Sequence, residues 1–465
     1  MTGAPSPADA VAALWRLAGG DETALAHLRP FGSDPVLPSS FRIGTAAQAS
    51  IAAVGLAAAE LHHRAGAVRQ TISVDMRHAA VEFRSEHYLT IDGSAPSSFG
   101  NPLFGAYRTG DGGWVRLHMN FPHHRDNVLK FLNCAPSRPA IEAALQGWHA
   151  VPFETEAYRN GCVVAAMRTP AEWASHPQAT GLATIPVVQI EKIGAAPQRP
   201  LRGGARPLSG LRVLDLSRII AGPVAGRALA AHGADVMRIS APHLPFIDWL
   251  VKDTGRGKLS AFVDLSTQDG TGALRRLIAD ADIFLQAYRP GSLADKGFGP
   301  ADVAALHPGI IYGSLSAYGD IGPWANRRGF DSLVQTATGF NAAEAQDAGI
   351  EGPKELPCQA LDHASGYLLA FGVLMARIRQ AHEGGSFLVR VSLAATGRWI
   401  WTLGRVDNGF ALPLPQRDDV ADLLEESRSP FGLMRGVRHA AQMSATPAGW
   451  TRPAVPLGTH PPVWP

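Results

Sequence analysis

Apolar positions follow two different rhythms along the chain, one on each side of residues 199–208 (RPLRGGARPL), a segment rich in Arg, Gly and Pro that reads as a linker. Beyond it the pattern is regular. Short runs rich in Val, Ile and Leu at 212–216, 235–239, 259–265, 283–287 and 310–316 read as strands, with helical stretches between them. One helix covers 223–232. Another follows Ser266, which is placed to cap it with Asp269 as box partner, and Leu274, Leu277, Ile278 and Ala281 recur at helical spacing. Strands alternating with helices of this length predict an α/β fold, a doubly wound parallel sheet with helices on both faces. A long apolar helix over 365–380 follows, with Asp362 at its start.

Before the linker the rhythm is mixed. Ile43–Arg64 has the composition of a helix, while 70–76 (QTISVDM) and 114–119 (WVRLHM) alternate like strands, the second after the turn Asp111-Gly112-Gly113. Thr169, Pro170 and Glu172 have the spacing of a cap, a first-position proline and a capping-box partner.

Composition changes this picture little. At 465 residues, 46% hydrophobic and 18% charged, the chain is ordinary globular protein of two or three domains. A net charge of +2 asks for neither nucleic acid nor an anionic membrane as partner. Cys134, Cys162 and Cys358 are scattered and form no CxxC pair, which fits a reducing cytoplasm and predicts neither a disulfide framework nor a cysteine metal site. The start, MTGAPSPADA, lacks the basic and apolar regions of a signal peptide. A long charge-free, apolar-leaning stretch, 43–59, is Ala-rich, carries Gly, Thr, Gln and Ser, and is expected as a buried helix rather than a membrane span.

Local chemistry points to a crevice but to no reaction. Ala221-Gly222-Pro223 with Gly226 lies between the first strand and helix after the linker, where free helix N–H groups suit a phosphate or where small residues simply permit tight packing. It is not a GxGxxG. Arg256-Gly257-Lys258 and Arg289-Pro290-Gly291 read either as basic loops at strand ends, able to hold phosphate, or as solvated surface. Asp362 reads as an N-cap on spacing alone.

The words PLSGLRVLDLSRIIAGPVAGRALAAHGADVMRIS, GRGKLSAFVDL, ADIFLQAYRPGSLADKGFG, HPGIIYGSLSAYGDIGPWANRRGFDSLVQTATG and ALDHASGYLLAFGVLMARIR, in this order, closely resemble the family III CoA-transferases, the CaiB–BaiF group, which holds both transferases and racemases. The resemblance implies that Asp362 is the nucleophilic aspartate and that coenzyme A enters as substrate, with no bound cofactor or metal. It also implies contacts to CoA from Ile219, Ile220, Ala221, Gly222, Arg238, Lys258, Tyr288, Arg289, Lys296 and Arg328. The partners it implies are an acyl-CoA and a small carboxylic acid. Racemases of the family carry a histidine before the aspartate matching Asp331. Phe330 stands there, which favours transfer over racemisation. Ala287 and Ser266 replace a usual asparagine and lysine on the CoA side.

The first half resembles the family's later part: VGLAAAELHHRAGAVRQTISVDM is similar to the helix and strand after the active-site aspartate, and NPLFGAYRTGDGGWVRL to the smaller α+β domain. Counting back from that strand lands on Thr45, so this copy has no nucleophile. The implied organisation is 1–200, a partial copy with the small domain; 201–410, a Rossmann-like catalytic domain; and 411–465, a tail. The order is that of a permuted or trimmed duplicate. The helices 43–64 and 365–380 are near-copies that could pair within one chain or across a two-fold axis; by resemblance an intertwined homodimer is expected, the apolar helix 367–375 needing a partner surface, and the location is expected to be cytoplasmic. A racemase or isomerase, and a non-catalytic acyl-CoA-binding relative, are the alternatives.

Overall fold

A computed structural model describes residues 4–96 and 100–465. Seven strands form the main sheet: β1 Gln189–Gly194, β2 Arg212–Leu216, β3 Asp235–Ser240, β4 Lys258–Phe262, β5 Ile283–Gln286, β6 Ile311–Ser316 and β7 Ser386–Ser392. They lie in the order β4-β3-β2-β5-β6-β7-β1. β2 to β7 are all parallel, and β1 closes the β7 edge antiparallel, with Leu388 opposite Glu191. The alternation of helices and strands after the linker thus yields the expected doubly wound sheet. Its order reverses between β2 and β5, which makes the switch point of the fold. β1 precedes the linker, so the sheet reaches back into the first two hundred residues.

Each strand is apolar on both sides because each side has a core to fill. Val213, Val236, Ile283, Leu285, Ile311 and Val389 belong to the larger core. Their neighbours Leu214, Met237, Phe284, Tyr312 and Leu388 face a second core built with Leu274, Leu277 and Ile278 of the helix Gln268–Ala279. Period-two alternation into two buried faces is the mark of a sheet covered on both sides. That helix is capped by Thr267, whose side chain accepts the Gly270 N–H. Ser266, expected as the cap, instead donates to Asp264 Oδ1 at 2.7 Å, because the chain is still turning there.

Four helices place the site: α1 Ile43–Arg64, α2 Ala221–Ala231, α3 Asp331–Ala337 and α4 Ala360–Glu383. α4 begins five residues before the predicted 365 and shows a different neighbour on each face. Toward the sheet, Gly313 of β6 and Gly372 of α4 let helix and strands close together, as a Cβ on Gly372 would lie 2.6 Å from Val389 Cγ1. Toward α2, a Cβ on Gly366 would lie 2.4 Å from the Ala221 carbonyl oxygen. Toward the first half run His363, Tyr367 and Phe371, at i, i+4 and i+8. They meet Glu86 at 3.1 Å, Glu82 at 2.6 Å and the Trp15 ring at a centroid distance of 6.2 Å.

α1 also packs directly on α4. The apolar surface of 367–375 therefore has its partner within the chain, and the need for a second subunit to cover it disappears. α1 is long and apolar enough to cross a membrane by length and composition, yet its apolar window is entirely buried inside the protein.

The first half holds a smaller α+β unit with its own core. Antiparallel strands Gly105–Arg108, Trp114–Leu117 and Val164–Ala166 pack Tyr107, Val115 and Leu117 against Val128, Ile141 and Phe153 of three helices. Residues 424–443 return to pair with strands of that half: Arg435 opposite Thr90, and Ala441 opposite Val74.

Candidate active site

A cavity of about 270 Å³ opens where β2 and β5 part at their C-terminal ends. Its floor is the loop from β2 to α2. Asp215, wholly buried in β2, holds this loop by accepting a hydrogen bond from Ser217 and an ion pair from Lys258 Nζ at 2.7 Å. Lys258 Nζ also donates to the Pro223 carbonyl at 2.7 Å. Between these anchors Ile219 has φ +75°, a left-handed backbone that a β-branched residue adopts only at a cost of about 1–3 kcal/mol. Past it, Ala221 and Gly222 open α2 in the cavity wall, and first-turn N–H groups have no acceptor within their own helix.

The other walls come from several elements. After β5 come Ala287, Tyr288 and Arg289; after β6, Leu315 to Ala317; before α3, Arg327 to Phe330; and from the small domain, Phe121, His123 and His124. Among the described lining residues Asp362 is the only carboxylate. Against it stand Arg218, Arg289, Arg327 and Arg328, the last two differing in kind. Arg328 is exposed, whereas Arg327 is buried and committed to Glu154 at 3.4 Å.

Asp362 is 7% exposed and sits in the first turn of α4, not at its N-cap, which is Gln359. The cap function passes to Asp331, the first residue of α3, whose Oδ2 accepts the Asp362 N–H at 2.9 Å while Gln335 donates to Oδ1. Burial pushes the Asp362 carboxyl well above the usual range, and the nearby carboxylates of Asp331 and Glu86 push it further. Burial likewise raises Asp331, only partly offset by the hydrogen bonds it accepts. Glu86 is different. Burial works against its charge, yet His363 at 3.1 Å overrides this and holds it down to about 2.

The expected CoA residues divide by position. Ile219, Ile220, Ala221, Gly222, Tyr288, Arg289 and Arg328 line the cavity with Asp362. Arg238 does not; it lines a small adjoining cleft with Arg218 and Leu250, and donates to Thr254 Oγ1 at 2.7 Å. Lys296 lies exposed in the short helix Ala294–Lys296, outside the cavity wall. Lys258 is fully buried, its ammonium pulled down to about 7 by burial against the pull of Asp215. Arg256-Gly257-Lys258 precedes and opens β4, so it stands at the end of the strand opposite the crevice. Its Arg256 is spent on Asp253 at 3.2 Å and the Val437 carbonyl at 2.7 Å. Arg289-Pro290-Gly291 follows a strand's C-terminal end and does reach the cavity.

Thr45 occupies the place in α1 that Asp362 occupies in α4, third in its helix. Asp34 caps it as Asp331 caps α4, accepting the Thr45 N–H at 3.0 Å and its hydroxyl at 2.5 Å. Thr45 is wholly buried.

The histidines were not singled out by sequence reasoning. His118, His123 and His124 stand within LHMNFPHHR, a density that was the available signal, but their spacing matches no metal motif. Among the described residues no three His, Cys, Asp or Glu are grouped to hold a metal ion.

Residues 208–408 match the model of CoA-transferase family III. A probable fatty acyl-CoA transferase of Mycobacterium tuberculosis, Rv3272, is 35% identical over 42% of this chain and 52% of its own, so the match spans about half of that relative. An acyl-CoA transferase of Gibberella moniliformis is 27% identical over 81% of this chain and 74% of its own. The crystal structure of Rv3272 aligns at 34% identity over 43% of this chain and 59% of that one, with a TM-score of 0.39. Residues 208–408, which build β2 to β7 and the crevice at the switch point, are thus similar to CoA-transferase family III.

Proposed function

We propose that this chain moves CoA between an acyl-CoA thioester and a carboxylic acid, with Asp362 as nucleophile. The observation that carries the reading is a single carboxylate among the described lining residues of a cavity that four arginines also line, at the switch point of a doubly wound sheet. Arg218, Arg289 and Arg328 suit the phosphates of CoA, as charge-assisted donors do. Asp362 attacks the thioester carbonyl, and collapse of the tetrahedral adduct expels CoA thiolate and leaves an acyl-aspartyl anhydride. The thiolate returns to the aspartyl carbonyl, the first acid departs, and an aspartyl-CoA thioester remains. The acceptor carboxylate then attacks this thioester in turn, and the same two steps in reverse release the new acyl-CoA. A desolvated carboxylate of raised basicity is the better nucleophile, and two activated steps replace one hard exchange. The Ala221 and Gly222 N–H groups, aimed by the strained Ile219, are placed to stabilise the developing oxyanion.

Asp362→Asn is expected to abolish transfer. In the parent chain, incubation with acetyl-CoA or succinyl-CoA followed by hydroxylamine places a hydroxamate on Asp362, readable by peptide mass. Full transfer by the Asn variant would remove Asp362 from this role.

A further inference from the structure

His124 is buried, third in the helix Pro122–Leu132 of the small domain, and it lines the cavity that contains Asp362. Its Nδ1 faces His118 Nδ1 at 3.1 Å, so the two nitrogens share one proton and Nε2 is the atom of His124 left for a ligand. The His118 ring in turn stacks on Phe330, with centroids 3.7 Å apart and planes 10° from parallel. Phe330 directly precedes Asp331, the acceptor of the Asp362 N–H. Two halves of the chain thus meet next to the residue that holds the Asp362 backbone. Burial pulls both imidazoles down to about 3, so they are neutral at ordinary pH. The His124 ring contacts Phe121 and Phe330 and has Arg218 and Arg328 nearby to take a phosphate, so a neutral imidazole here is better suited to a carbonyl.

We propose that His124 contacts substrate, donating a hydrogen bond from Nε2 to the acyl carbonyl oxygen held against Asp362, and that His118 is the residue that positions it. The proposal rests on the transfer reading above. When the shared proton sits on His118 Nδ1, His124 carries its own on Nε2 and presents a donor; no proton leaves His124 as the oxygen gains charge. The half of the chain with Thr45 in place of a nucleophile thereby supplies a group to the one site that has one.

The test is the single-turnover rate of hydroxylamine trapping at Asp362 with acetyl-CoA as probe, measured on the full chain. His124→Phe keeps the aromatic packing and removes the donor, and is expected to slow trapping on the order of 10²-fold, the loss typical of one oxyanion donor. His124→Gln, which retains an N–H, recovers part of the rate. His118→Phe slows it less, and the His118→Phe/His124→Phe pair is no slower than His124→Phe alone, because both act through one hydrogen bond. Unchanged trapping in His124→Phe, with Asp362→Asn silent, overturns the inference and leaves the transfer reading standing. So does an equal loss in His124→Phe and His124→Gln accompanied by a lowered melting temperature, which marks a packing role. No trapping in the parent chain defeats both readings.

Discussion

Asp362 is held in the protein at an electrostatic cost. It is buried beside two other carboxylates, Asp331 and Glu86, so its folded state favours the protonated form. A carboxyl raised in this way contributes stability that is present below its unfolded value and lost as pH rises through the folded one. At neutral pH its ionisation therefore opposes folding. Asp362→Asn should be inactive yet more stable than the parent near pH 7, by ~1 kcal/mol on the scale of single stabilising replacements, with the difference vanishing in acid. Urea unfolding at two pH values checks this. Asp331 offers the complementary test. Asp331→Asn keeps an oxygen to accept the Asp362 N–H but removes a charge, so Asp362 ionises more readily. The acid limb of the pH–rate profile should move to lower pH; a limb that stays in place would deny Asp331 its influence. None of this could be read from ALDHASG, where Asp362 reads as an N-cap. The true cap lies thirty-one residues earlier in sequence and meets α4 only in space.

Among the elements, α4 carries the most consequence. Its three faces serve the sheet, α2 and the first half, and each demands a different residue size. Gly366 is where α4 crosses the start of α2, and a methyl group there would press on the Ala221 carbonyl. Gly366→Ala should destabilise by about 1–3 kcal/mol, as overpacking does, even though alanine is the better helix former. It should also slow transfer, since the displaced carbonyl belongs to the cavity loop. A variant as stable as the parent would show that α4 and α2 can slide apart. The existence of β2 to β6, α2, the helix Gln268–Ala279 and α4 was legible, because alternation and helical spacing are local properties; β7 and α3 were not read from the sequence. Boundaries were less legible. Ser266 and Thr267 are equally good caps by composition, and the choice fell to the Asp264 turn. The loop Arg256-Gly257-Lys258 looked like a phosphate clasp until strand direction placed it at the wrong end of β4.

At the scale of the molecule, the linker does not separate independent folds. His363, Tyr367 and Phe371 of α4 find Glu86, Glu82 and Trp15 across it, and α1 and α4 share one core. Residues 201–465 expressed alone would expose that face. Each large apolar side chain so uncovered forfeits about 1.5–3 kcal/mol, against a total stability of ~5–15 kcal/mol. The fragment should aggregate, and co-expression with 1–200 should restore a soluble, folded pair, followed by size exclusion and circular dichroism. A monomeric, cooperatively folded fragment would contradict the shared core. What the sequence determined by itself was the doubly wound fold, the segment of family resemblance and the residues of the β2–α2 loop, since periodicity and contiguous words survive without neighbours. Tertiary structure alone decided that Lys258 is an internal strut, that Asp331 caps α4 and raises the Asp362 carboxyl, and that His124 comes to the same cavity from more than two hundred residues away. Each of these depends on which buried groups end up within a few ångströms of one another, and in a dry interior that distance governs both hydrogen bonding and charge.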